Sequence, residues 1–257
     1  MGSRSNIPPL AACLQVFRLT LRRQFFSRQT IVIAVLIGLA MAIMITLSLI
    51  LRAEAYRGIE ELVPKINSRL FMGFLLPIIS LAYASSAISG ERTGQTLVYL
   101  LSTSIPRPLI YLSQYAAVLL LTLGVTLGGL AALCLAFGAD GLLALRGFAP
   151  VVALATTCYV GLFLLFSAWV RRATFLALGY ALMIEALTAN IPGVVKCITV
   201  SFYANSWLYD ESSPLGLRPI IPAYDPVTGG TAIGVLIAAS LGFLALGMWL
   251  FSRKEYE

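Results

Sequence analysis

From Thr30 to Leu51 the chain carries no charged side chain, and the same holds over 109–137, 148–170 and 231–251. An uncharged apolar run of about 20 residues is what a helix needs to cross the hydrocarbon core of a bilayer. Inside that core every backbone N–H and C=O must be bonded within the structure, so such runs are helices rather than loops or open strands. Two interrupted runs extend the pattern, 70–89 with Pro77 inside it and 174–189 with Glu185 inside it. The expected fold is therefore all-α, a polytopic membrane protein with six spans at about 30–51, 70–89, 109–137, 148–170, 174–189 and 231–251, forming one membrane domain over 1–257. Composition agrees, since 59% hydrophobic and 11% charged residues lie far from the balance of a soluble domain.

The connections differ in character. Residues 8–28 read as an amphipathic helix in which Leu10, Leu14, Phe17, Leu21 and Phe25 recur every three or four positions, while Gln15, Arg18 and Arg22 take other faces. Such a helix suits the membrane surface or the surface of a partner. No cleavable signal peptide is expected, because the first apolar run is long and lacks a small-residue cleavage pattern behind it. A mixed-charge segment with Pro64 follows the first span, and Pro77 is expected to kink the second. Gly138-Ala139-Asp140-Gly141 reads as a turn ending the third span. The fourth and fifth spans form a tight hairpin around Arg171-Arg172, closed by Asn190-Ile191-Pro192-Gly193. Residues 194–228 read as a long connection whose aromatics, Phe202, Tyr203, Trp207, Tyr209 and Tyr224, suit the headgroup region.

An even number of spans puts both termini on one side. The side holding the termini, 90–108 and Arg171-Arg172 carries Arg4, Arg18, Arg22, Arg23, Arg28, Arg92, Arg107, Arg171, Arg172, Arg253 and Lys254 against Glu91, Glu255 and Glu257. The other side is balanced. By the positive-inside rule the basic side is cytoplasmic, so both termini face the cytoplasm. The sequence pI near 9.4 reports this topology and contact with the lipid bilayer rather than nucleic acid, which would need a basic, aromatic-interleaved patch away from the membrane.

Little here suggests catalysis by the chain itself. Histidine is absent, which removes the commonest general base and metal ligand. Cys13, Cys134, Cys158 and Cys197 have no C-x-x-C spacing, and Cys134 and Cys158 sit in apolar runs as small hydrophobes. None of Lys65, Lys196 and Lys254 lies in a phosphate-binding G-x-x-x-x-G-K-[ST] loop, so neither ATP nor another cofactor is expected on this chain. Glu185 is the one acidic residue well inside a span. A carboxyl there binds a cationic substrate, relays a proton or holds a gate, or else serves as an architectural hydrogen-bonding group. Gly124-x-x-x-Gly128 allows close helix approach, read here as packing within the chain ahead of dimerisation.

The segment Ser89–Arg107 lies on the cytoplasmic side and is patterned. Glu91 can sit near a helix N-terminus, where the dipole favours negative charge. Gly94 permits close backbone approach, and Leu97, Leu100 and Leu101 form an apolar face able to fill a partner's groove. Pro106 and Pro108 end that helix and turn the chain into the third span. With Arg92 and Thr96, the set Glu91, Gly94, Thr96, Leu100-Leu101 and Pro106-Arg107 resembles the first cytoplasmic loop of ABC-2-type transporter permeases. The arrangement of an elbow helix, six spans, a short fourth-to-fifth turn and a long loop before the sixth is similar over the whole chain. Thr103-Ser104-Ile105 departs from the pattern, since a Pro is frequent at the first of these positions in relatives.

The resemblance implies a cytoplasmic coupling helix over 91–105 that docks on a separate ABC ATPase subunit carrying ATP and Mg. It further implies two ATPase copies, a second permease copy (a homodimer) or a related permease, a location in the inner membrane, and export. It also implies an architectural role for Glu185, since relatives place a similar Glu before a Pro-Gly-like turn. The alternatives are a mechanical or assembly subunit of an ABC-like complex that moves no solute and, more remotely, an intramembrane enzyme.

Overall fold

The computed structural model describes residues 9–53, 68–93, 106–135, 139–170, 173–181, 197–209 and 226–253. Among these residues the regular elements are all helical: α1 Pro9–Phe25, α2 Arg28–Ala53, α3 Leu76–Thr93, α4 Arg107–Leu135, α5 Ala139–Trp169, α6 Ala173–Gly179, α7 Val200–Leu208 and α8 Gly229–Arg253. A π-helical segment, Ser68–Leu75, runs directly into α3. Five helical stretches are long and apolar enough to cross a membrane: Arg28–Leu47, Leu70–Ala87, Arg107–Leu135, Ala144–Trp169 and Gly229–Arg253. The expected fifth span, 174–189, is described only as far as Ala181, and Glu185 lies outside the described residues.

α5 forms the middle of the bundle, packed against α3, α4, α6, α7 and α8. Tyr159, Phe163, Val160, Leu164 and Cys158 on α5 are wholly or almost wholly enclosed, and Tyr159 stacks on Phe163. Small and hydroxylic residues bring the helices together. Phe243 of α8 lies 3.3 Å from where a Cβ on Gly161 would stand. Thr126 of α4 and Thr156 of α5 meet hydroxyl to hydroxyl at 3.3 Å. Both hydroxyls also bond carbonyls one turn back, Thr126 to Thr122 at 2.8 Å and Thr156 to Val152 at 2.6 Å. Back-bonding of this kind lets a hydroxyl sit inside an apolar helix without a free polar group.

Pro77, where a kink is expected, falls at a change of helix type, and three other local expectations are corrected. The chain is π-helical to Leu75 and α-helical from Leu76, so Pro77 falls in the first turn of α3, where a missing N–H costs no α-helical bond. Ala139, Asp140 and Gly141 are the opening turn of α5 rather than a turn outside it. Within 194–228 there is a helix, α7, capped by Thr199, whose hydroxyl accepts from the Phe202 N–H at 3.3 Å. Its aromatics turn inward: Phe202 is buried, and Tyr203, Trp207 and Tyr209 pack against the core. Finally, Gly124 and Gly128 face open space, so among the described residues neither serves helix packing. The close approach is at Gly129 instead, where Ile37 of α2 comes within 3.2 Å of the Cβ position.

Candidate coupling end of the bundle

One end of the bundle gathers the second half of α3, the last turns of α5 and α8, the first turn of α4 and the elbow between α1 and α2. The ties between these elements are hydrogen bonds and ring contacts. Arg107, which opens α4, donates from Nη1 to the Ser252 carbonyl at 3.4 Å, in the last turn of α8. A helix leaves its final carbonyls without intrahelical partners, so a guanidinium is well placed there. One turn further into α4, the Tyr111 ring packs on Phe251 with centroids 5.8 Å apart. The same ring occupies the space a side chain on Gly247 would need. Arg253 lies over the Trp249 ring, 4.6 Å from its centroid. Ser167, near the end of α5, donates to the Ser85 carbonyl of α3 at 3.2 Å.

The elbow is the most polar joint of this end. α1 ends at Phe25 and α2 begins at Arg28, with Ser27 between them. The Ser27 carbonyl accepts from the Thr30 N–H at 3.1 Å, which starts α2. Thr30 Oγ1 donates to the Gln24 carbonyl at 2.7 Å and accepts from the Tyr83 hydroxyl of α3 at 3.2 Å. Gln24 Nε2 in turn donates to the Tyr83 carbonyl at 3.1 Å. Gln24, Thr30 and Tyr83 thus close a circuit that fastens the elbow to α3, with Tyr83 fully buried. The circuit is incompletely satisfied. Gln24 Oε1 and, one turn earlier, Thr20 Oγ1 are buried with no hydrogen-bond partner among the described residues. A buried acceptor left unpaired costs about 1–3 kcal/mol, so this joint has less to lose by shifting than the apolar core.

α1 meets the bundle on a face that its apolar periodicity did not single out. Val16, Thr20 and Gln24 are buried against it, whereas Leu14 and Phe25 are exposed. In a bilayer an outward apolar stripe meets lipid rather than water, so the inward side is free to carry the polar groups that bond to neighbouring helices.

Of the residues expected to couple the chain to a partner, the described ones flank a single segment. Glu91 and Arg92 belong to the last turn of α3, which continues to Thr93. The expectation that Glu91 stands at a helix N-terminus is thereby corrected. Glu and Arg are good helix formers, and they carry the helix past Ser89 and Gly90. Pro106 is exposed, immediately before α4, and its carbonyl accepts from the Leu109 N–H at 2.9 Å. Gly94, Thr96, Leu97, Leu100 and Leu101 lie outside the described residues. Sequence reasoning missed Gln24, Thr30 and Tyr83. The available signal was the pair of polar positions Thr20 and Gln24, one turn apart, in a helix that apart from Gln15 is otherwise apolar and basic. Among the described residues no three His, Cys, Asp or Glu side chains are grouped to hold a metal. The sequence matches no known family model. It likewise matches no curated protein.

Proposed function

We propose that this chain is the membrane-embedded permease subunit of an ABC-2-type transporter. It has six spans, of which α6 begins the fifth, and it is driven by ATP hydrolysed on two copies of a separate cytosolic ATPase. The reading rests on the residues of 89–107 and on the position of that segment's two ends. Its start is the end of α3, a helix that is bonded to the elbow nearly three turns earlier, through Tyr83. Its finish is Arg107, which is bonded to the end of α8. A push on 94–105 is therefore delivered at once to α1, α2, α3, α4 and α8. That linkage carries the proposal, because it is what a short docking lever must do to bias two arrangements of a bundle. The working unit is a homodimer in the inner membrane with both termini cytoplasmic, and the direction is export.

The test is co-purification of a cognate ATPase with the full chain in detergent. Glu91→Lys combined with Leu100→Asp is expected to abolish ATPase recovery while leaving membrane insertion unchanged. Undiminished recovery with that variant removes the docking role. Labelling of a cysteine placed at 97 from the outside of intact cells removes the topology as well.

A further inference from the structure

The elbow has a second, outward side that the coupling circuit does not use. Arg18 and Arg22 lie one turn apart on α1, and Arg28 opens α2 just beyond the turn; all three are exposed. Among the described residues none of the three has a side-chain hydrogen bond or ion pair. No compensating charge is available nearby in sequence, since residues 1–53 contain no Asp or Glu. Beside the arginines stand two large exposed rings, Phe25 at 52% and Phe26 at 79% exposure, packed edge to face at 5.4 Å. Leu14, also exposed, extends the apolar strip along α1.

Exposed guanidinium groups on the same elbow as exposed aromatic rings match one kind of surface. Phosphates lie at the headgroup level of a leaflet and acyl chains lie just below. Arg is suited to this because its planar fork bonds phosphate oxygens in pairs. Rings at the elbow sink into the acyl boundary, and each basic side chain near an anionic leaflet adds to the attraction. A soluble anion would satisfy the arginines but leave Phe25 and Phe26 in water.

We propose that the α1–α2 elbow, through Arg18, Arg22 and Arg28 with Phe25 and Phe26, is a docking surface for anionic phospholipid headgroups of the leaflet in which it lies. The inference rests on the chain being bilayer-embedded and not on its driving ATPase. Because Gln24 and Thr30 of the same elbow hold Tyr83, headgroups that pin the elbow also pin α3. Membrane charge then sets how tightly the elbow stays closed on the bundle.

The experiment uses the purified full chain alone, exchanged through mixed micelles holding equal amounts of phosphatidylglycerol and phosphatidylcholine, with co-purifying lipid counted by native mass spectrometry. The wild type is expected to retain phosphatidylglycerol in at least about threefold preference. Arg18→Gln/Arg22→Gln/Arg28→Gln loses the preference and Arg18→Lys/Arg22→Lys/Arg28→Lys keeps most of it. Arg146→Gln, an exposed arginine on α5, leaves it unchanged. An undiminished preference in the triple Gln variant overturns the proposal, whether or not ATPase recovery falls. So does a preference abolished equally by Arg146→Gln, or one competed away by millimolar glycerol phosphate, which marks a soluble-anion site. A bimane probe at Phe26→Cys gives an independent reading. Its emission is expected to shift to the blue in phosphatidylglycerol vesicles relative to phosphatidylcholine vesicles, and an identical spectrum in both counts against the site even if the triple variant folds poorly.

Discussion

α2 and α5 are both long apolar helices, and they use their apolar residues in opposite ways. α2 holds the most apolar window of the five, yet only 17% of that window is enclosed by the rest of the chain. The α5 window is less apolar and 72% enclosed. In water this order would be reversed, because burial follows hydrophobicity. In a bilayer the solvent itself is apolar, so Ile31, Val32, Val35, Leu39, Ile43 and Leu49 of α2 face outward. α5 instead brings Gly161, Thr156 and Ser167 to its contacts, residues that let backbones approach or hydroxyls bond across helices. Among the described residues α2 attaches through a seam in which Ile33, Ala40 and Met44 are inward with Ile37 beside them, spaced as in a coiled-coil contact.

The most forceful way to break this contrast is to remove matched bulk from each helix. Phe163→Ala on α5 empties a site with no exposure, where Tyr159 stacks, Phe166 lies tilted and Tyr180 meets the ring edge-on. It is expected to cost about 3–5 kcal/mol, read as a large fall in the temperature at which the detergent-solubilised monomer peak is lost. Ile43→Ala on α2, whose side chain is half exposed, exchanges protein–lipid contact for lipid and is expected to stay within about 0.5 kcal/mol. Equal losses at the two positions would mean that α2 is packed against something as firmly as α5.

Overfilling sharpens the same point at a smaller scale. Gly247 of α8 is covered by the Tyr111 ring, and any side chain there must displace an enclosed residue. Gly247→Leu is expected to destabilise by about 1–3 kcal/mol, whereas Gly38→Leu on α2, where the Cβ position meets open space, is expected to be neutral or slightly stabilising. Thermal loss of the folded peak measures both.

The existence of the long helices was legible because an uncharged run in lipid has one backbone solution. Which way each helix turns was harder to see. The stripe Leu10, Leu14, Phe17, Leu21 and Phe25 on α1 was read as a side for the membrane surface or a partner, but nothing in it pointed to Val16, Thr20 and Gln24 as the face that packs on the bundle. Much the same happened with the aromatics of 200–209, read as headgroup anchors. α7 is too short for periodicity to reveal it, and only its Thr199 cap announces the helix in which Phe202 turns inward. Of the residues expected to couple, the structure describes Glu91, Arg92, Pro106 and Arg107, at the two ends of the segment. The circuit of Gln24, Thr30 and Tyr83 joins residues 53 positions apart or more across α3, and no local signal pairs them.

That circuit predicts a moderate effect. Tyr83→Phe keeps the buried ring and removes one hydroxyl from Thr30. Hydrogen bonds between membrane helices average about 0.6 kcal/mol and reach about 1.7, so the stability cost is expected in that range. The larger change is local: a thiol at Ser27→Cys should label faster in the Tyr83→Phe background than in the Tyr83 background. Equal labelling rates would show that the elbow is held by the apolar contacts of α1 and not by the circuit.

The smallest expected effect separates two adjacent glycines on α4. Gly128 points to open space, while a Cβ on Gly129 would stand 3.2 Å from Ile37 Cδ1 and 3.6 Å from its Cγ1 and Cγ2. The nearest atom is the end of a flexible side chain, so Gly129→Ala needs Ile37 to move by only a few tenths of an ångström. It also gains the helix propensity that Ala has over Gly, about 1 kcal/mol. The two terms nearly cancel at Gly129, while at Gly128 only the propensity gain remains. Gly128→Ala is therefore expected to be the more stable of the two by up to about 1 kcal/mol, compared in the same detergent melt. The order reverses only if the exposed face of α4 is covered by another chain that needs Gly128 bare. A loss at Gly128 that appears in the assembled protein and vanishes in the dispersed monomer would locate that cover, and would move α4 from the lipid-facing side of the comparison to the packed one.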